Sequence, residues 1–457
     1  LKSRDTKAAF WYTIGNFAVK GFAFLTLPIF TRLLSVSDFG KVSIYSTWLA
    51  IFSILIALDL NAAVVRGKYD FGEKYRSYLS SVLFLSSIIF VLWLAVFLAL
   101  NEKLSKALGL PFFLLVILLI NSYSQFVIRF KLAEFTSNRD YKKYITVSLV
   151  NVILNFTLSL LFIFLISEKY IGRIFGMFLS SIIIAISLYI SVLKNGREYV
   201  NKEYWSYALK LSIPLIIHNL SGIILAQFDR IMINKYYSSV ETGIYSFAYT
   251  IGMIINVIWG ALNLAWIPWF FENMKNENYE NIRKKTLAYI SFFSSITVLL
   301  VFVSPEIVKI AAPSGYLPGL GLVPIISASY YFVFLYSLPA NLEFYLKKTH
   351  IISLGTILAG AINVFLNYIF IPTFGYSAAA FTTLVSYIFL FAFHYFNARI
   401  LFKKNLFPLR HFLYGMLIIF GSIIAFYVFI SNPFIRYSII LISTLTTLRF
   451  LKKNVLD

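Results

Sequence analysis

The groups best able to do chemistry in this chain are charged and amide side chains set inside long apolar runs. Lys20 stands near the middle of the run 8–31, with Asn16 one helical turn earlier on the same face. His218 and Asn219 stand near the middle of 208–233, and Gln227, Asp229 and Arg230 follow towards its end. Asp59 and Arg66 lie about two helical turns apart near one end of the second run. Arg129 and Lys131 close the fourth run, and Glu343 with Lys347 forms an i,i+4 pair that closes the tenth. If these runs cross a bilayer, a central Lys or Arg costs roughly 2.5–3.5 kcal/mol and must meet a cavity or a partner.

That cost gives each group two readings. The Lys20 ammonium binds a phosphate or carboxylate, or else it snorkels to the interface, which lies far along the helix in both directions. Asn219 contacts ligand or ties helices together. His218 binds ligand or packs as a neutral imidazole. Asp229 and Arg230 form a functional pair or an interfacial ion pair ending their span. Asp59, Arg66, Arg129, Lys131 and Glu343 act on substrate or coupling ion, or are simply solvated. The asparagines Asn151, Asn155, Asn363 and Asn367 read as interhelical glue. The chain has no Cys and four His, which removes disulfides, thiolate sites and His-based metal clusters. No P-loop, outer-loop D-x-D or Ser-His-Asp arrangement is present, so no enzyme is expected.

The elements that position these groups follow from composition. Of 457 residues, 60% are hydrophobic and 13% charged, against about 45–50% and about 25% in soluble domains. The sequence therefore predicts an all-α, polytopic membrane protein. A span needs about 20 apolar residues. Runs of that kind fall at 8–31, 42–65, 78–100, 110–129, 144–166, 172–193, 208–233, 243–270, 286–304, 320–345, 350–371, 376–398, 411–431 and 434–450. Fourteen helices are expected, with twelve as the alternative count. Alternate loops hold 29 and 10 of the 40 Lys and Arg, with Lys20 in neither set. This asymmetry puts both termini in the cytoplasm. The excess base is topogenic, with anionic membrane lipid as its partner and no role for nucleic acid. Three bases in Leu1–Lys7 without a small-residue cleavage site argue against a removable signal peptide.

An internal repeat organises the runs. A shift of 203 residues lays Asn16 on Asn219, Arg32 on Lys235, Ser35 on Ser238, Asp38 on Glu241 and Gly40 on Gly243. Asn151 and Asn155 fall on Asn363 and Asn367 at a shift of 212. Two parallel six-helix lobes are expected, 1–204 and 205–404, followed by two extra helices and a tail in 405–457. Parallel repeats place a substrate site between the halves, with Arg32, Asp38, Lys235 and Glu241 in matching loops as gating candidates beside Asp59, Asp229 and Glu343. The stretch Ser304–Gly321, rich in Pro and Gly, reads as a gate or a long connection.

Three segments carry a family resemblance. They are Leu25-x-x-Pro28-x-x-x-Arg32-Leu33-Leu34-x-x-x-Asp38-Phe39-Gly40, continued by Ile56–Arg66; Asp229–Ile233 with Glu241–Ser246; and Phe374–Ser386. Together they resemble the polysaccharide-transport branch of the multidrug/oligosaccharidyl-lipid/polysaccharide exporter superfamily. The resemblance implies two six-helix lobes alternating between inward- and outward-open states in a bacterial inner membrane. It implies a flippase for a lipid-linked oligosaccharide on undecaprenyl pyrophosphate, serving O-antigen, capsule or exopolysaccharide biosynthesis. Lys20, Asn16, Asn219, His218, Arg230, Arg66 and Arg129 are then the substrate-binding candidates, and Lys20 falls where a cationic cavity residue belongs. A polymerase and a chain-length regulator are the implied protein partners. No cofactor is implied beyond proton or sodium coupling. Asp59-Leu60-Asn61 departs from the Gly-Leu-Gly common in the family. An ion-coupled small-molecule exporter, which calls for acidic residues in mid-membrane, and a lipid II flippase remain as alternatives. A polysaccharide polymerase ranks below them for want of a sizeable outer loop.

Overall fold

The computed structural model describes Gly15, Val19, Gly21, Phe22 and residues 24–451. The chain divides into two compact units, Leu1–Gln227 and Phe228–Asp457. Among the described residues every regular element is helical.

The first unit opens with α1 (Phe24–Leu33) and α2 (Val36–Leu55). Ser35 starts α2 by accepting the Asp38 N–H at its side chain, while Asp38 reaches back to the Ser35 N–H. The expected span 42–65 does not continue to its end. Leu58 and Asp59 both have left-handed backbone, at φ 48° and 51°, and a 3-10 turn (Leu60–Ala63) and α3 (Val64–Phe71) follow. Next come α4 (Tyr75–Ala99), α5 (Asn101–Leu108), α6 (Phe112–Ser137), α7 (Tyr141–Leu165), α8 (Lys169–Gly196) and α9 (Lys202–Gln227). The α7–α8 contact depends on glycine. A Cβ at Gly172 would lie 2.4 Å from the Phe162 carbonyl, and one at Gly176 would lie 2.3 Å from Ser159 Cα. Gly172-x-x-x-Gly176 thus lets two backbones meet where apolar burial cannot drive association. Helix α9 begins the second half of the repeat numbering and packs within the first unit.

The second unit holds α10 (Asp229–Tyr236), α11 (Ser239–Gly252), α12 (Ile254–Lys275), α13 (Tyr279–Ala311), α14 (Val323–Tyr345), α15 (Thr349–Phe374), α16 (Ala378–Leu401), α17 (Leu409–Phe429) and α18 (Pro433–Leu451). Its core is aromatic around α14, where Phe334 stacks on Phe293 at 4.3 Å and meets Trp259 edge-on at 4.9 Å. The expected span 208–233 is in fact two helices, α9 and α10, interrupted at Phe228. The gate or connection expected at Ser304–Gly321 is shorter than it reads, because α13 runs through Pro305 to Ala311 and a 3-10 segment (Ser314–Leu322) follows. The C-terminal helices are tied to that region, since Tyr437 donates to Glu306 at 3.0 Å and Arg436 also pairs with Glu306.

Eleven helices among the described residues are long and apolar enough to cross a membrane. Three of the fourteen expected spans are not in that set. Half of the run 8–31 lies outside the described residues, whereas α2 and α18 form as helices without being counted. Phe164, Ile400 and Leu417 are 74%, 74% and 73% exposed, a distribution that suits a surface solvated by lipid.

Candidate coupling and substrate sites

In the first unit the α2 break creates a polar point. Asp59, with positive φ at the break, is only 3% exposed. Asn219 on α9 donates to it through Nδ2 at 2.6 Å. Arg129 on α6 lies within its electrostatic reach and donates to the carbonyl of Ser53, in the last turn of α2. Arg129 Nε is buried without a hydrogen-bond partner, as is His218 Nδ1 one residue from Asn219. Three residues that sequence reasoning placed on separate spans therefore converge as a carboxylate, an amide and a guanidinium. Arg66 is not among them. It sits on α3 with its side chain 69% exposed, 3.4 Å from Asp70, which also accepts the Tyr207 hydroxyl. Asp59 and Arg66 thus lie on different segments, and the two-turn spacing expected of one helix does not hold.

A second polar point in this unit went unnoticed in the sequence. Arg173 lies one residue after Gly172 in the α7–α8 contact. Its Nη1 donates to Asn155 Oδ1 at 2.7 Å and to Ser159, and the guanidinium covers the Phe30 ring at 4.2 Å. The Gly-x-x-x-Gly spacing was the available signal.

In the second unit Asp229 is fully buried. Its carboxylate accepts from Tyr245 at 2.5 Å, Asn367 Nδ2 at 2.8 Å and Thr383 at 2.9 Å, joining α10, α11, α15 and α16. Asn367 also donates to Asn363 at 3.1 Å and accepts from Thr382, while Asn363 donates to Thr383 at 3.2 Å. Arg230, the next residue, acts electrostatically on the caged carboxylate. Adjacent helical positions point about 100° apart, and Arg230 lies over the Tyr249 ring at 4.4 Å. Three donors converge on this one carboxylate, which satisfies its oxygens inside the helical core.

Glu343 is also corrected. Its partner is His394 on α16, not Lys347: His394 Nδ1 lies 2.8 Å from Glu343 Oε2, with both side chains wholly buried. Glu343 Oε1 and His394 Nε2 have no hydrogen-bond partner. His394 was not singled out because one His in an apolar helix carries no pattern.

The repeated loop motif proves to be helix capping. Asp38 closes the α2 box, and in the matching place Ser238 donates to Glu241 while accepting the Val240 N–H at 3.0 Å. Arg32 donates to the Pro28 carbonyl at 2.9 Å, and Lys235 lies 5.4 Å from the Tyr236 ring centroid. Lys20 and Asn16 lie outside the described residues. The described residues contain no cluster of three or more His, Asp and Glu able to hold a metal.

These features define a polytopic, all-helical membrane protein whose buried polar groups gather at breaks and junctions of helices. The chain belongs to the family described as polysaccharide biosynthesis protein, which it matches over residues 6–274. It is 26% identical over 376 residues to the Lsg locus putative protein 1 of Haemophilus influenzae, covering 77% of this chain and 88% of the relative. Solved structures share its fold. A structure of the lipid II flippase MurJ in an inward closed conformation matches with TM-score 0.74 and 18% identity, over 96% of this chain and 97% of that one. An inward-facing multidrug transporter of the MATE family matches with TM-score 0.65 and 14% identity, over 86% and 99%.

Proposed function

We propose that this protein is a flippase, not an enzyme. It carries a lipid-linked oligosaccharide repeat unit, borne on undecaprenyl pyrophosphate, from the cytoplasmic to the outer leaflet of a bacterial inner membrane. The product feeds O-antigen, capsule or exopolysaccharide assembly by a polymerase and a chain-length regulator. The observation that carries the reading is membership of a polysaccharide biosynthesis family by a chain whose fold, over nearly its whole length, is that of a lipid flippase. In this scheme both termini are cytoplasmic, and two parallel six-helix repeats exchange access from one side to the other. Lys20, Asn16, Arg66, Arg129, Asn219, His218 and Arg230 meet the substrate. Asp229, Asp59 and Glu343 are the coupling groups.

The test is leaflet-resolved. In a strain lacking the protein, lipid-linked repeat units should accumulate while remaining inaccessible to an impermeant periodate reagent outside. Proteoliposomes containing the purified protein should expose them. Equal exposure with and without the protein sinks the reading.

A second reading is an ion-coupled exporter of small molecules. It is favoured by the burial of Asp59, Asp229 and Glu343, which exceeds the acidic content expected of the membrane interior from sequence. Proton- or sodium-driven efflux of cationic dyes with no change in polysaccharide would select it.

A further inference from the structure

On the face bearing the basic excess, the ends of α4, α6, α7 and α8 enclose a cavity of about 390 Å³. Its wall carries three cations, Arg76, Lys131 and Lys143, and two carboxylates, Glu134 and Asp140, with Asn195 beside them. Two of the cations are neutralised in place. Lys131 pairs with Glu134 at 2.7 Å, and Lys143 pairs with Asp140 at 2.9 Å. Arg76 has no recorded ion-pair partner and stands exposed. The Lys131 side chain is only 7% exposed, so its charge is held inside the wall and does not drift in solvent. The rim is fixed as well. Lys68 donates to the Ser137 carbonyl at 2.9 Å and to Asn138 at 2.7 Å, and Tyr75 bonds Ser137 at 2.9 Å, which pins the α6–α7 turn.

We infer that this cavity binds an anionic phosphate ester. The wall carries a net positive charge, which favours an anion. Arg76 offers the planar fork that phosphate oxygens accept, and the buried Lys131–Glu134 pair with Asn195 supplies donors and acceptors for hydroxyls on the ester. The volume is at the small end of ligand pockets, which suits a glycerophosphate and excludes a repeat-unit oligosaccharide. Basic pockets between helices at a membrane face are also where lipid headgroups bind. Two sources share this chemistry, a phospholipid headgroup and a soluble phosphorylated metabolite. The site is separate from the groups assigned above to transport, so it stands or falls independently of the flippase reading.

The experiment uses the full chain purified in detergent and follows its thermal unfolding against added phosphatidylglycerol or sn-glycerol 3-phosphate. At least one probe should raise the midpoint in a saturable way. Arg76→Glu should weaken the apparent affinity about tenfold or more, the scale of one charge-assisted contact. Ser191→Trp fills the cavity without altering charge and should weaken it similarly. Lys142→Glu makes the same charge change off the cavity wall and should leave the response intact. A response to glycerol 3-phosphate identifies a soluble ligand, and a response to the lipid alone identifies a headgroup. The proposal is overturned if neither probe acts on the unaltered protein, if both cavity variants respond normally, or if Lys142→Glu weakens binding as much as Arg76→Glu.

Discussion

Asn155 in the first unit and Asn367 in the second fall on one another at a sequence shift of 212 residues, yet they serve opposite charges. Asn155 accepts from the guanidinium of Arg173, whereas Asn367 donates to the carboxylate of Asp229. An amide has both a carbonyl and an NH2, so a duplicated helix can keep its asparagine while the charge it meets changes sign. The partners arrive differently as well. Arg173 is delivered by the close α7–α8 approach at Gly172 and Gly176, while Asp229 enters at the first turn of α10, where the preceding helix stops. The two units thus share the neutral, adaptable group and differ in the charge that it meets.

The largest effect should come from removing the charged member of the richer cage. Asp229→Leu leaves the Tyr245 hydroxyl, the Asn367 amide and the Thr383 hydroxyl without their acceptor. At about 1–3 kcal/mol for each buried unsatisfied group, the loss should reach at least about 3 kcal/mol. Thermal unfolding in detergent reads it. Asp229→Asn keeps the shape and should retain most of the stability while losing ion-dependent transport. A midpoint for Asp229→Leu within error of the unaltered protein would remove the cage from any account of the second unit.

A matched pair of substitutions probes the comparison most directly. Asn367→Asp sets a second carboxylate against Asp229 and should destabilise the protein by about 2 kcal/mol, because like charges in a poorly solvated site repel strongly. Asn155→Asp gives Arg173 an anionic partner already within hydrogen-bond distance and should be neutral or stabilising. The same chemical change at equivalent positions is thus expected to have opposite signs. If both variants shift the midpoint in the same direction, the polarity difference between the units is not what governs these sites.

Much of this architecture was legible in the sequence, and what was not has a common physical origin. Composition and apolar run length report the solvent around the chain, so membrane class and most spans could be read. Capping boxes are local, which is why the Ser35–Asp38 and Ser238–Glu241 motif could be seen to recur, although its role as a cap was not recognised. The cages depend on partners far apart in sequence: Asp229 and Asn367 are separated by 138 residues, and Glu343 and His394 by 51. No period or spacing announces such a pair. The α2 break was also silent, because Ala57-Leu58-Asp59-Leu60 contains no Gly or Pro. Asp tolerates the left-handed region through its short polar side chain, but Leu58 enters it with no such compensation and is held there by its surroundings.

That break supplies a smaller test, now within the first unit. Asp59→Asn keeps a side chain that tolerates positive φ and can still accept from Asn219, so its stability should fall by less than about 1 kcal/mol. Asp59→Val loses the hydrogen bond and places a β-branched residue at φ 51°, for a cost of about 2 kcal/mol. If Val is tolerated as well as Asn, the carboxylate–amide contact does not hold the broken helix against α9.

The smallest expected effect on stability is at Arg66, and its smallness makes it informative about function. The Arg66–Asp70 pair is an exposed i,i+4 contact, with the two side chains 69% and 40% exposed, and such pairs contribute less than about 0.5 kcal/mol. Asp70 retains the Tyr207 hydroxyl when Arg66 is removed, so no buried group is stranded. Arg66→Ala should therefore leave the unfolding midpoint unchanged. In the flippase reading Arg66 is a cation available to pyrophosphate on the cytoplasmic side, so the same variant should lower polysaccharide export, most strongly when substrate is scarce. Arg66→Lys should restore part of it, because charge survives while the bidentate fork does not. Export at the unaltered level with a normal midpoint would assign Arg66 to the solvated surface and leave substrate capture in the first unit to Arg129, whose guanidinium is already committed to Ser53 and faces Asp59.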